Sequence, residues 1–162
     1  MWNTSYDLQI LKEFDLKSRK VKHVRIMKIY FQLPGKNELL LCCDGESKGN
    51  PGISGYGFIG RNNGGEFFIA VTGGLGIATN FCAEVMVVIN AYEWAVSKGF
   101  HQLIFRIDSS SVMTSFKQNR IPWYAVSRWK NIYSKVSRWK IIHSYRVVNF
   151  SADKLANIKG SL

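Results

Sequence analysis

The sequence predicts an α/β (α+β) fold, a mixed five-stranded sheet with helices against it, and three observations carry that reading. Short apolar runs punctuated by Gly, Asn and Pro recur at 39–43, 55–60, 67–71, 103–107 and 141–147, which is the length and bounding of strands. One long stretch of helical periodicity, 81–97, separates the third run from the fourth, and shorter helical stretches follow. The resulting order of three strands, helix, strand, helices, strand and helix is that of a mixed sheet with helices packed on it.

Taken in order, residues 1–36 carry a run of cations (Lys17, Arg19, Lys20, Lys22, Arg25, Lys28) and end at the turn signal Pro34-Gly35, so they read as a basic arm or linker. The domain proper is expected over 37–160. Leu39 to Cys43 reads as a fully buried strand. Gly55 to Gly60 and Phe67 to Val71 read as a hairpin around Asn62-Asn63-Gly64-Gly65. In the long helix Val85, Val88, Ile89, Tyr92, Ala95 and Val96 recur on one face, with Asn80 expected as N-cap and Gly99 as the stop. Leu103 to Ile107 is a short strand, and Ser109-Ser110-Ser111 supplies caps for a helix through Phe116. A basic helix is expected from Tyr124 to Ser137, a last strand from Ile141 to Val147, and a closing helix over Ala152 to Ile158.

A chain of 162 residues with 46% apolar and 14% aromatic content can bury a core without disulfides or structural metal. The longest uninterrupted apolar run is far too short for a membrane span, and the amino terminus shows no signal pattern, so a soluble intracellular monomer without membrane association is expected, in nucleus or cytoplasm. Cys42, Cys43 and Cys82 are odd in number and lack CxxC spacing, so they read as reduced thiols in or near the core. The net charge of +11 is unevenly spread. Residues 1–37 hold eight Lys/Arg against three acids, residues 38–108 four against seven, and residues 109–152 eight against none. Basic flanks of this kind can grip a polyanion while the acids of the middle act on one phosphate.

Four acids fall at element ends: Asp44 where a strand hands over to a turn, Glu84 at a helix start, Asp108 at a strand end, and Asp153 in the closing segment. Such a set can converge on divalent metal. Each also has a structural reading, as turn former, first-turn helix carboxylate, helix cap or solvated position. Other motifs fail their context. Gly55-Tyr56-Gly57-Phe58-Ile59-Gly60 satisfies GxGxxG but runs into a hairpin instead of opening a helix. No HExxH or GxSxG is present. The echo of Ser127-Arg128-Trp129-Lys130 in Ser137-Arg138-Trp139-Lys140 is too short for a repeat.

The acids and their surroundings resemble the type 1 ribonuclease H family, and within it the plant, retroelement-derived, reverse-transcriptase-like branch. Four motifs carry the resemblance: Asp44-Gly45 with Lys48-Gly49-Asn50-Pro51-Gly52; Thr79-Asn80 leading to Ala83-Glu84; Ile107-Asp108-Ser109; and His143, Tyr145-Arg146, Asn149, Ala152-Asp153 and Leu155-Ala156-Asn157. The resemblance implies helices on both sides of the sheet and hydrolysis of the RNA strand of RNA/DNA hybrids. It implies two Mg2+ ions, replaceable by Mn2+, with Asp44 bridging both, Glu84 and Asp108 holding one and Asp153 the other. Oxygen-only ligands suit such hard cations, which clamp the attacking and leaving oxygens of a phosphodiester. Gly45, Lys48, Asn50, Asn80 and Ser109 would meet the hybrid, whose 2′-hydroxyls mark RNA. In the basic, aromatic segment Arg128, Lys135 and Arg138, and beyond it Arg146 and Asn149, would meet the nucleic-acid backbone; its tryptophans read first as a core stripe.

Three departures accompany the resemblance. Glu46 stands where a small residue is usual, Phe81 where a second Asn is common, and no His lies between Arg146 and Asp153. These bear on turnover and leave the fold untouched. The readings in competition are therefore a hybrid-cutting endonuclease, a catalytically weak nucleic-acid-binding domain derived from a retroelement reverse transcriptase, and a structural module whose arm recruits a protein.

Overall fold

A computed structural model of the chain describes residues 35–144; residues 1–34 of the expected arm and residues 145–162, with the expected helix over Ala152–Ile158, lie outside them. Among the described residues five strands form one sheet in the order β3-β2-β1-β4-β5. They are β1 (Leu39–Gly49), β2 (Gly52–Arg61), β3 (Phe67–Ala78), β4 (Gln102–Ile107) and β5 (Arg138–His143). Helix α1 (Asn80–Ser97) links β3 to β4, and α2 (Ser110–Lys117), α3 (Trp123–Ile132) and a 3₁₀ turn (Tyr133–Lys135) link β4 to β5. The first three strands pair antiparallel, whereas β4 is parallel to both β1 and β5.

Strand alternation sorts the side chains onto two faces. Leu39, Leu41, Cys43, Phe58, Leu103, Phe105, Ile107 and Ile141 pack with residues of α1, α2 and α3 in one core. Leu40, Cys42 and Ile104 lie buried on the opposite face with Ile142 against them. The three described helices thus share one face, and the helix expected on the other lies outside the described residues. Tyr92 of α1 is the centre of the main core: its ring stacks on Phe105 at 5.5 Å and meets Trp129 edge-on at 5.4 Å. Its hydroxyl donates to the Tyr133 carbonyl at 3.1 Å, and burial holds its phenol well above the usual range. Trp129 is likewise buried and donates its indole N–H to Asn119 Oδ1 at 3.0 Å, so the core-stripe reading holds there. Trp123 is 86% exposed and does not belong to that stripe. Cys42 and Cys43 are buried free thiols, pushed up from the usual thiol range first by burial.

Several element ends differ from those read in the sequence. Strand β1 does not stop at Cys43 but continues to Gly49, its ladder with β2 unbroken to Gly49↔Gly52, and β3 likewise runs on from Val71 to Ala78. An apolar run marks where a strand is covered, not where its hydrogen bonds end. The basic helix ends at Ile132 instead of Ser137, and β5 begins at Arg138 instead of Ile141, since Gln102 to Ile107 pair with Arg138 to His143. There Trp139 and Ile141 turn to the helix core while exposed Arg138 and Lys140 alternate with them. The hairpin around Asn62 forms as expected, its Oδ1 accepting the Gly64 and Glu66 N–H groups at 3.0 Å each. Gly99 ends α1 with φ +82°, a left-handed conformation that glycine adopts without strain. No described helix is long and apolar enough to cross a membrane.

Candidate metal and nucleic-acid site

Three of the four sequence-predicted acids converge. Ligand oxygens of Asp44, Glu84 and Asp108 all lie within 4.8 Å of one another. Asp153 lies outside the described residues, as do Arg146 and Asn149.

Each position follows from local structure. The parallel ladder between β1 and β4 ends at Cys42↔Arg106, so Asp44 and Asp108, each two residues farther on, stand level where the two strands part. Asp44 therefore sits in mid-strand, opposite Gly57, and not at the strand-to-turn junction read in the sequence. Glu84 arrives from the other side, as the fifth residue of α1. That approach depends on Gly45, because a Cβ there would stand 2.3 Å from the backbone carbon and oxygen of Ala83 and 2.6 Å from the nitrogen of Glu84. A hydrogen in place of a side chain lets the helix backbone rest directly on β1. Asp44 is buried, and Glu84 and Asp108 are half-buried. Two unit charges at that spacing repel by about 3 kcal/mol at an effective dielectric of 20, so the cluster gains from a cation. An all-carboxylate donor set suits a hard, oxygen-seeking divalent ion, and the residues present fit that group.

The turn between β1 and β2 is tied to the start of α1. Asn50 Oδ1 accepts the Asn80 N–H at 3.1 Å, and Asn80 Oδ1 accepts the Ser47 N–H at 2.7 Å. The Ser47 hydroxyl reaches the carbonyls of Gly49 and, at 2.7 Å, Ala78; that of Ser54 reaches the Ala78 carbonyl at 3.0 Å. Asn80 is not the N-cap of α1. Thr79 is, its Oγ1 accepting the Cys82 N–H at 3.0 Å, while the Asn80 side chain turns to β1. Asn is by preference the better cap of the two, so it is the fold that selects Thr79 here. With their oxygens engaged here, Asn50 and Asn80 both remain exposed.

The other expected contacts are dispersed. Ser109 caps α2, accepting the Val112 N–H at 3.3 Å. Lys48, Lys135 and Arg138 are exposed. Arg128 donates to both carboxylate oxygens of Glu93, at 2.8 and 2.6 Å, and to Asn90 Oδ1 at 3.0 Å, so it ties α3 to α1. The Glu93 bond raises its guanidinium above the usual range. Arg128→Ala is expected to cost about 0.5–1 kcal/mol, the worth of a well-formed but half-exposed ion pair, measured by urea unfolding. Glu46 is half-buried two residues along β1 from Asp44. Phe81 is half-buried against the main core. Phe81→Asn is therefore expected to lower stability by about 1–2 kcal/mol through lost packing, read from the melting temperature. The Ser47, Ser54 and Thr79 hydroxyls and the Gly45 contact went unread in the sequence; a small residue between a strand-end acid and a helix start is the one signal available for them.

A mixed sheet in this strand order, with carboxylates where β1 and β4 part and near the start of α1, defines the ribonuclease H-like class. Residues 42–159 match the family described as reverse transcriptase-like, and the chain belongs to that family. Ribonuclease HI of Halobacterium salinarum is 34% identical over 124 residues, covering 70% of this chain; the chain spans 60% of that curated relative. The crystal structure of ribonuclease H1 from the same archaeon superposes with a TM-score of 0.70 at 28% identity, over 75% of this chain and 96% of that one. The N-terminal ribonuclease H domain of a Mycobacterium tuberculosis protein gives 0.69 at 25% identity, over 76% and 94%. LC11-RNase H1, crystallised in complex with an RNA/DNA hybrid, shares the fold with a TM-score of 0.68 at 22% identity, over 76% and 96%.

Proposed function

We propose that this chain is a metal-dependent endonuclease that hydrolyses the RNA strand of RNA/DNA hybrids, using Mg2+, with Mn2+ as a substitute. The observation that carries the reading is the carboxylate cluster of Asp44, Glu84 and Asp108, three ligand oxygens within 4.8 Å, in a ribonuclease H-like fold. With Asp153 these residues would hold the metal, which when bound supplies Lewis-acid activation of water and stabilisation of the leaving oxygen. Asn50 and Asn80, their Oδ1 atoms accepting backbone N–H groups, keep their amide hydrogens for acceptor atoms of the hybrid. Exposed Lys48, Lys135 and Arg138 would neutralise phosphates and set the register of the duplex.

Incubating a labelled RNA/DNA hybrid with the protein in Mg2+ and in EDTA tests the reading, with RNA/RNA and DNA/DNA duplexes as controls. Metal-dependent cutting of the hybrid RNA supports it; binding without cutting favours the second reading, a nucleic-acid-binding domain of retroelement descent. Glu46, an added acid on β1 near the cluster, and Phe81 are the features that favour that second reading.

Hybrid affinity is expected to fall with salt, and the Lys135→Ala, Arg138→Ala double variant to flatten the log–log slope by roughly 1–2. Fluorescence anisotropy across a salt series measures it. An unchanged slope would leave that face a solvated surface.

A further inference from the structure

Asp108 follows the last residue of β4 and precedes the Ser109 cap of α2, so its own backbone lies between two elements. What reaches it there comes from β5. His143, the final residue of β5, pairs with Ile107, and the Ser144 N–H continues the contact to the Ile107 carbonyl at 2.7 Å. The His143 ring then extends past the ladder to place Nε2 3.0 Å from the Asp108 carbonyl oxygen. A carbonyl only accepts, so Nε2 carries the hydrogen and donates it. The His143 side chain is exposed, so this bond is not a by-product of core packing.

We infer that His143 is a positioning residue for Asp108, its Nε2–H holding the Asp108 peptide so that the carboxylate stays in register with Asp44 and Glu84. The inference rests on the reading of Asp108 as a metal ligand. Magnesium demands near-ideal geometry, so a small rotation of one ligand's peptide weakens binding even though the ligand is still present. Groups that orient a ligand from behind are worth about 10–100-fold in metal affinity. His143 also ties the end of β5 to the site, the part of the sheet that sequence spacing alone leaves farthest from Asp44 in chain order.

The test is a calorimetric titration of the full chain with Mg2+ and no nucleic acid, alongside melting temperatures, for wild type, His143→Leu, His143→Gln and Asp108→Asn. His143→Leu is expected to weaken Mg2+ binding about tenfold with the melting temperature unchanged. His143→Gln, whose amide nitrogen can occupy the place of Nε2, is expected to stay within about threefold of wild type. In cleavage assays the Mg2+ concentration for half-maximal rate should rise for His143→Leu while the KM for hybrid stays the same. Equal affinity in His143→Leu and wild type overturns the inference, as does equal weakening in the Leu and Gln variants with a shared fall in melting temperature. If Asp108→Asn binds Mg2+ as wild type does, the ligand reading itself fails and the inference falls with it, a result separate from the other two.

Discussion

Asp44→Asn is expected to abolish hybrid cleavage, by about a thousandfold or more, while raising the stability of the metal-free protein. On the proposed reading the rate falls because the several kcal/mol of charge stabilisation that bound metal would supply require Asp44 as a ligand. Stability rises because Asp44 is 3% exposed and shares a 4.8 Å cluster with two other carboxylates, so removing one charge relieves repulsion in a poorly solvated place. The two effects have opposite signs, which distinguishes a ligand from a residue that merely supports the fold. Single-turnover cleavage and urea unfolding in EDTA measure them. Retained cleavage in the Asn variant would refute the role of Asp44, and a loss of stability would show that its carboxylate is structural.

Gly45→Ala is expected to do the reverse to the fold, destabilising it by about 2–3 kcal/mol and disrupting the site together with it. A methyl group would collide with the Ala83 carbonyl and the Glu84 nitrogen, which are backbone atoms and cannot rotate away as a side chain would. Helix α1 must lift from β1, and Glu84 moves with it. Gly99→Ala at the opposite end of the same helix is the control: its φ of +82° makes Ala strained there, costing about 1 kcal/mol, but no carboxylate is displaced. Urea unfolding together with Mg2+ calorimetry separates the pair. Loss of Mg2+ affinity in Gly45→Ala but not in Gly99→Ala is the expected outcome; equal affinity in both would mean that the Gly45 contact does not set the position of Glu84.

The sequence by itself determined the order of elements, since each strand of the sheet carries its own apolar run and α1 carries a full helical period with a glycine stop. It also singled out Asp44, Glu84 and Asp108, whose ligand oxygens the fold brings within 4.8 Å of one another, together with Asp153, which lies outside the described residues. Where the strands ended was not legible. Hydrophobicity reports burial, and beyond Cys43 and Val71 the ladders of β1 and β3 continue through residues whose pairing is set by the neighbouring strand. For the same reason Arg138-Trp139-Lys140 fell between the expected helix and the expected last strand until parallel pairing with β4 placed it in β5. The fate of Arg128 was equally closed to the sequence: a cation in a basic segment reads as a phosphate contact, yet Glu93 lies one helix away in space and 35 residues away in the chain. Sequence spacing is local, whereas charge pairing, close packing and ligand convergence depend on distances between elements far apart in the chain. Only the tertiary structure decided that Gly45 admits the helix backbone, that Thr79 and not Asn80 caps α1, that Asn50 and Asn80 turn their oxygens inward, and that His143 meets the peptide of Asp108.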